Sequence, residues 1–260
     1  MAKKVGIIGA GWLGIRLARH FKANFEVYTT TRTADKFESL RQEGLHPTFI
    51  EFSGEAVQES IKPWSLIPAL DILIITVNFS KSTEISVLQK RFENVCRFIR
   101  GFDQQTFLMS SIGIYPPREQ AINEETIAEN ELQPNIWSVE QQMRKALPQI
   151  NILRLGGLMG DDRYLSKYTI KETAQIANHI HYDDIAGVIE QMIQAQSSRK
   201  TYNVVAPEHP TKQAILDEQL GASDSTEDAK PFGKVVLTRK LVDELGYTYT
   251  RPDPRVFNLN

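Results

Sequence analysis

The sequence has almost nothing with which to build covalent cross-links. One of its 260 residues is cysteine, Cys96, so no intrachain disulfide can form. A lone cysteine suits a reducing compartment, and a cytoplasmic location is expected. Cys96, in "VCRFIR", reads as a small buried apolar residue before it reads as a nucleophile. The chain also lacks an excess of either charge: 30 Lys and Arg stand against 32 Asp and Glu, for a net charge of -2. Nucleic acids and anionic membrane surfaces demand a basic excess, so neither is expected as a partner. Long apolar runs are missing too. None approaches the roughly 18 residues of a membrane span. The start, "KKVGII", mimics a signal peptide, but Gly6, Gly9, Gly11 and Gly14 interrupt the run. Arg16 and Arg19 follow closely, and no small-x-small cleavage site appears. Internal repeats and low-complexity tracts are absent as well.

Alternating strand-like and helix-like segments fill the chain instead. "KVGIIG" reads as a buried strand, "WLGIRLARHFK" as an amphipathic helix, and "FEVYTT" as the next strand. "ADKFESLRQEG" is a helix closed by Gly44, and "HPTFIEF" a third strand. "DILIITV" is a strongly apolar strand, followed by the long helix "EISVLQKRFENVCRFIRG". "QTFLMSSIGIY" is a strand running into a turn, "PNIWSVEQQMRKAL" a helix after an acidic loop, and "INILRLGGLMG" one further strand. Such alternation implies an α/β fold, a Rossmann-like doubly wound parallel sheet. Beyond residue 156 the pattern loosens. "HYDDIAGVIEQMIQ", "TKQAILDEQLG" and "TRKLVDELG" read as helices, "TYNVVA" and "VFNL" as strands, and "ASDSTEDAKPFG" as a polar loop. The expected layout is a dinucleotide-binding core over 1–156. Residues 157–260 then supply the last sheet elements and a small C-terminal substrate-side lobe, within one structural domain.

Doubly wound sheets bind ligands beyond the carboxyl ends of their strands. Attention therefore falls on Gly9–Gly14, Thr29–Arg32, Thr76–Asn78, Ser110–Tyr115 and Gly156–Gly160. The first of these, "GAGWLG", is a G-x-G-x-x-G run with a strand before it, a helix after it and a second strand ending about 20 residues on. Gly9 permits the tight turn, Gly11 lets the backbone approach a pyrophosphate, and Gly14 lets the helix pack on the strand. Amides of the helix start, around Trp12 and Leu13, then face the phosphates. At the end of the second strand, NAD enzymes place an acid to bond the ribose hydroxyls. Here Thr29-Thr30-Thr31-Arg32 stands, with no acid until Asp35. Hydroxyls and a guanidinium suit a 2′-phosphate, which favours NADP(H) over NAD(H). Thr76, Val77, Asn78 and Ser110 are further expected cofactor contacts at strand ends.

Taken in order, "GAGWLG", "TTTR", "SSIGIY", "ILRLGGLMG", "HIHYDDIAGVI", "YNVV" and "LTRKLVDELGYTYTRP" resemble the NAD-dependent epimerase/dehydratase branch of the short-chain dehydrogenase/reductases. The phosphate loop is similar to that of its atypical members, and the likeness spans nearly the whole chain. It implies that Ser111 bonds the reacting oxygen of a substrate. It also implies a Tyr-x-x-x-Lys helix, in which lysine lowers the pKa of the tyrosine that handles the proton. This chain departs there. "PNIWSVEQQMRKAL" has no tyrosine, and none of the 8 tyrosines precedes a lysine by four. Ser111 and Tyr115 remain the candidates for the reacting oxygen. Equally, Ser110 and Ser111 bond cofactor or backbone while Tyr115 shapes the turn with Pro116-Pro117.

Other residues read more blandly. Glu140 is an acid or base if buried, but it also matches a glutamate that plays a structural part in the family. His179 and His181 in "NHIHYDD" are badly spaced for a metal with Asp183 and Asp184, so no metal site is expected. One of those aspartates is expected to cap the helix instead, and His181 is a candidate cleft residue. Arg154 is expected to pair with a nearby carboxylate or the sheet end, and Arg163 to meet solvent or an anionic substrate. Trp12 either covers the pyrophosphate or packs under the next loop. Specificity should sit in residues 161–173 and 207–232. The expected activity is hydride transfer on a small polar carbonyl, alcohol or sugar-like compound, by an oxidoreductase or epimerase. The first alternative is a dinucleotide-binding regulatory or redox-sensing protein without turnover. The second is a reductase of the β-hydroxyacid dehydrogenase or ketopantoate reductase type, which needs a helical C-terminal half. A homodimer through "VLQKRFENVCRFI" and "IWSVEQQMRKAL" is the expected assembly, although a core-facing stripe explains both helices as well.

Overall fold

The structure, a computed structural model, describes residues 2–222 and 230–257. Strands and helices alternate from the start: β1 (Lys4–Ile8), α1 (Trp12–Phe21), β2 (Glu26–Thr31), α2 (Ala34–Gln42), β3 (His46–Phe49), β4 (Ile72–Ile75) and α3 (Ile85–Phe98). Then come β5 (Gln105–Ser111), β6 (Ala121–Ile122), α4 (Pro134–Ala146), β7 (Asn151–Leu155), β8 (Gly157–Met159), β9 (His179–His181) and α5 (Tyr182–Gln194). The last elements are β10 (Thr201–Val204), α6 (Lys212–Leu220), β11 (Val235–Val236) and α7 (Arg239–Leu245).

Seven strands form one sheet in the order β10-β7-β5-β4-β1-β2-β3. The pairs β1–β2, β1–β4, β2–β3 and β4–β5 all run parallel. From β1 the chain steps outward through β2 and β3, then returns to the other side of β1 and steps outward again. That reversal makes the ends of β1 and β4 the topological switch point, where such sheets receive ligands. The fold is thus the doubly wound, Rossmann-like α/β fold that the strand–helix alternation implies.

Two short parallel pairs lie outside this sheet. In β8–β9, Gly157 faces His179 and Met159 faces His181; in β6–β11, Ala121 faces Val235. "INILRLGGLMG" reads as one strand but forms two. Gly156 donates to Val204 O at 3.0 Å, while Gly157 donates to Asn178 O at 2.8 Å, so the chain changes partners between the two glycines. Strands β8 to β11 show that the C-terminal half is not the helical domain that a ketopantoate reductase type requires. In "VFNL", Val256 closes a 3-10 turn, while Asn258 and Leu259 lie outside the described residues. Most of the polar loop "ASDSTEDAKPFG", residues 223–229, lies outside them too.

The chain divides into two compact units. Unit 1 takes the residues up to Ile114 with Leu132–Leu153 and Gln196–Thr201. Unit 2 takes Tyr115–Glu131, Arg154–Ala195 and the residues from Tyr202 onward. The core of unit 1 is built on β4, whose four residues are all buried, and on two helix stripes. From α3 come Leu88, Phe92, Val95 and Phe98, and from α4 Val139 and Met143. Their spacing of three and four residues is one helical face, and burying each such side chain contributes roughly 1.5–3 kcal/mol. The apolar stripes of these two helices are therefore spent on the core. Unit 2 has its own cluster around Met159, Leu165, Ala177, Ala206, Ile215 and Phe257.

Candidate functional site

In unit 1 the chain leaves β1 at Gly9, whose φ of +102° lies in the left-handed region that side-chain-bearing residues avoid. Two threonines from neighbouring strands fix the loop that follows. Thr30 Oγ1 accepts from Gly9 N at 2.8 Å, and Thr30 O accepts from Ala10 N at 2.8 Å. From the end of β4, the Thr76 hydroxyl reaches the carbonyl oxygens of Ile8 and Gly9. Both residues, expected as cofactor contacts, use their side chains to hold the loop.

The three glycines have different reasons to be glycine. Gly9 needs its positive φ. At Gly14 an added Cβ would stand 2.1 Å from Gly9 O and 2.8 Å from Thr76 Oγ1, so a methyl cannot fit. At Gly11 an added Cβ would meet nothing within 4 Å, and its φ of -77° suits any residue. The protein itself leaves that space open beside the start of α1. Gly11 is the N-cap of α1 and brings no side chain to receive its first amides. An open volume at an uncapped helix start fits a pyrophosphate, which takes such amides and gains from the helix dipole.

Trp12 packs back on its own helix. The Arg16 guanidinium stands 3.8 Å from the centre of the indole ring and donates to Trp12 O at 2.9 Å. Leu13 is buried. At the end of β2, Thr29, Thr30 and Thr31 are buried, while Arg32 just beyond it is 72% exposed and stands 3.6 Å from Glu51, itself 60% exposed. Of the residues after β4, Val77 packs on the core and Asn78 is exposed, its carbonyl accepting from Arg91 at 3.4 Å.

Adjacent serines at the end of β5 diverge. Ser110 is buried and donates to Glu140 Oε1 at 2.6 Å, and Glu140 is itself 0% exposed on α4. That hydroxyl is turned inward. Ser111 is partly exposed, and its Oγ accepts from Gly113 N at 3.0 Å. Its own proton is donated to none of the described residues, so it remains a hydrogen-bond donor.

Unit 2 encloses Tyr115, which is 2% exposed. Its hydroxyl donates to Asn203 Oδ1 at 2.7 Å and accepts from Arg154 Nη1 at 2.9 Å. Lys234 Nζ donates to its carbonyl at 2.9 Å. Burial pushes the phenol pKa up further than the Arg154 charge pulls it down. Both hydrogen-bonding roles of this buried phenol are thus filled within unit 2. Arg154 donates to that phenol, and its charge also bears on the Glu124 carboxyl. Asn203 N in turn donates to Glu124 Oε1 at 2.6 Å.

The helix cap is also not where the sequence suggests. His181, buried, is the N-cap of α5, and its Nδ1 accepts from Asp183 N at 3.2 Å. Histidine is outside the usual capping set, so this was not legible. Asp184 is 0% exposed and anchors the tail instead. It accepts from Tyr247 Oη at 2.9 Å, Thr250 N at 2.7 Å, Thr250 Oγ1 at 3.0 Å and Arg251 N at 3.0 Å. Arg163 pairs its backbone with Gly160. Among the described residues, no three His, Cys, Asp or Glu side chains gather to hold a metal ion. Cys96 lies on α3 with its Sγ 3.7 Å from Met143 Sδ, and burial raises its thiol pKa to about 11, where it is a poor nucleophile. No helix among the described residues is long and apolar enough to cross a membrane.

No family model matches the chain. Its sequence is 28% identical to protein YeeZ of Escherichia coli K12 over 277 aligned positions, covering 99% of each. Human epimerase family protein SDR39U1, solved with NADPH, superposes with a TM-score of 0.69 at 15% identity, over 98% of this chain and 97% of that one. UDP-glucuronic acid 4-epimerase of Bacillus cereus, solved with NAD, gives a TM-score of 0.70 at 15% identity, over 98% and 94%. The chain has the fold of the epimerase/dehydratase proteins.

Proposed function

We propose that this protein binds a nicotinamide dinucleotide at the Gly9–Gly14 loop, NADP(H) in preference to NAD(H). We infer further that it acts as an oxidoreductase or epimerase on a small polar carbonyl, alcohol or sugar-like compound. The observation that carries the reading is Gly11. Gly9 and Gly14 are explained by the loop itself, whereas the space beside Gly11 is explained by a ligand. Two proteins that share the fold, one solved with NADPH and one with NAD, support a dinucleotide there. Arg32 supports the phosphate-bearing form: a guanidinium whose ion pair is the exposed Glu51 exchanges that pair for a 2′-phosphate at little cost.

The nicotinamide, when bound, supplies or accepts the hydride. The first amides of α1 receive the pyrophosphate, with Thr30 and Thr76 holding the loop rigid. Ser111 offers its O–H to the reacting oxygen. Tyr115 keeps the turn in place from within unit 2. The second reading, a dinucleotide-binding regulator without turnover, is favoured by that engaged phenol and by the missing Tyr-x-x-x-Lys pair.

Fluorescence titration with NADPH and NADH tests the cofactor. A several-fold preference for NADPH that Arg32→Ala abolishes is expected, and tighter binding of NADH overturns the NADP(H) assignment. NADPH oxidation over a panel of small carbonyls tests the chemistry. Ser111→Ala should lower turnover about 10- to 100-fold, the size of one lost hydrogen bond to a developing oxyanion. Tight NADPH binding without turnover on any substrate replaces the enzyme with the regulator.

A further inference from the structure

In unit 2 a single nitrogen faces two partners at once. His181 ends β9 and caps α5, and the residue is 3% exposed. Its Nδ1 accepts from Asp183 N at 3.2 Å. The same Nδ1 stands 3.2 Å from Asp183 Oδ2, the carboxylate of the residue whose amide it caps. As hydrogen bonds, these two contacts exclude one another. To accept from the amide, Nδ1 must present its lone pair, so the imidazole is neutral with its proton on Nε2. To bond the carboxylate, Nδ1 must carry a proton, and no lone pair is then left for the amide.

The surroundings hold the ring in place for such an exchange. The Tyr182 ring lies against it, with centres 4.4 Å apart and planes at 31°, and the Phe257 ring meets it edge-on at 5.5 Å. A Cβ on Gly160 would stand 2.5 Å from His181 Nε2 and 2.6 Å from Tyr182 Cε1, so the two rings fill the space that a side chain there would need. Close packing of this kind leaves the imidazole little freedom to turn. Both candidate partners of Nδ1 belong to one residue, so neither bond requires the ring to move. The Asp183 side chain is 42% exposed, which brings solvent to the exchange.

Several charged groups bear on the ring. Burial comes first: it favours the neutral form and holds the pKa below the ordinary 6.5. Asp183 pulls against it, Arg251 of the tail adds to it, and Asp184 on α5 and Asp161 after β8 pull against it again. The Asp184 carboxylate is taken up by Tyr247, Thr250 and the Arg251 amide, and Asp161 accepts from Tyr182 Oη at 2.6 Å. The strand paired to β9, β8, brings no titratable side chain. Asp183 is therefore the carboxylate placed to receive a proton-bearing Nδ1.

We propose that His181 is a proton-operated switch at the start of α5: neutral, it caps the Asp183 amide, and protonated, it releases that amide and binds the Asp183 carboxylate. The proton comes from solvent. One hydrogen bond breaks, Asp183 N–H to Nδ1, and one forms, Nδ1–H to Asp183 Oδ2. The cap is present at neutral pH and is lost as pH falls below the ordinary histidine range. Because Gly160 packs on Nε2, the new charge is also felt in the turn that Gly160 and Arg163 close with two backbone bonds.

NMR of the backbone amides and histidine rings of the full chain, titrated from neutral pH into acid, tests the switch. The Asp183 amide should move with the same midpoint as the His181 ring, and the Gly160 and Arg163 amides should follow. Exchange protection of the Asp183 amide, relative to the rest of α5, should fall about 2- to 30-fold on the acid side, the worth of a side-chain cap. Asp183→Asn keeps the amide and removes the carboxylate, so the His181 midpoint should drop by about half to one unit. His181→Asn supplies a cap that does not titrate and should leave the Asp183 amide flat across the range. An Asp183 amide that ignores the titration of the ring overturns the proposal. An unchanged midpoint in Asp183→Asn, or a ring that stays neutral until the protein unfolds, overturns it as well. Asp183 is an exposed side chain, so this variant decides the matter even where His181→Asn does not fold.

Discussion

In unit 1 the glycines that shape the candidate cofactor site lie within six consecutive positions. In unit 2 the polar groups that hold the frame come from far apart in the chain. Tyr115 meets Arg154 and Asn203 across 39 and 88 positions, and Asp184 meets the tail across 63 to 67. A loop whose glycines are close neighbours can be recognised from a short motif, even though Thr30 and Thr76 fix it from neighbouring strands. A buried polar group whose meaning depends on distant partners cannot. The consequences of mutation should differ in the same way: unit 2 anchors bear on folding, and one loop glycine bears on binding.

The largest effect is expected at Asp184. Replacing it by alanine strands two backbone amides and two hydroxyls that now point at one buried carboxylate. Such loss costs about 3–5 kcal/mol. Asp184→Ala should lower the urea midpoint accordingly and bring proteolysis to residues 247–251, because those residues lose their anchor. A loss below about 1 kcal/mol would break the contrast, since the carboxylate would then be holding little.

Two alanine substitutions sharpen the other side. Gly14→Ala places a methyl 2.1 Å from Gly9 O, and overpacking of this kind costs about 2–3 kcal/mol. It should therefore reduce both thermal stability and NADPH affinity. Gly11→Ala meets no protein atom, and at an N-cap it should cost no more than about 1 kcal/mol. Yet it should weaken NADPH at least about tenfold, because the methyl enters the ligand's space. Equal destabilisation by the two substitutions would mean that the space at Gly11 serves packing alone.

Acid separates the units by another route. His179 titrates near 4 in the folded protein, against an ordinary value of 6.5. Between those values the unfolded chain binds the extra proton, so stability rises with pH there. The contribution is complete above about 6.5 and is lost as pH falls toward 4. His179→Gln removes this dependence. The difference in unfolding free energy between the two proteins should change by about 2 kcal/mol from neutral pH to the acid end of that window. Parallel curves would show that the ring is not held neutral. Buried His181 and half-buried His209 are shifted in the same direction, so only the difference is diagnostic.

Much of unit 1 was legible because its signals are local. β4 is four consecutive apolar residues, α3 shows its stripe at intervals of three and four, and the glycine loop sits between a strand and a helix. The misses arise where a residue answers to a remote partner or where an element is too short for periodicity. β6 and β11 have two residues each, and no pattern survives at that length. Ser110 and Ser111 look alike in sequence, but alternation along β5 turns the first inward to Glu140. His181 caps a helix although two aspartates follow it. The candidate site shared this limit: the glycine loop at Gly9–Gly14 could be read, while the commitment of the Tyr115 hydroxyl to Asn203 and Arg154 could not.

Tyr115 gives the closest test of the comparison. Tyr115→Phe keeps the ring, and with it most of the buried area. It removes the donor to Asn203 Oδ1 and the acceptor for Arg154 Nη1. Asn203 keeps the bond from its Nδ2 to Leu237 O, and the Lys234 contact to the Tyr115 carbonyl does not involve the hydroxyl. The cost should therefore be about 1–2 kcal/mol, the range for a buried hydrogen bond lost with partial compensation. NADPH affinity should not change. If the phenol instead handled the proton, the same substitution would leave stability nearly intact and reduce turnover about 100-fold or more. One variant, read by denaturation and by NADPH oxidation, thus assigns this hydroxyl either to the frame of unit 2 or to the chemistry.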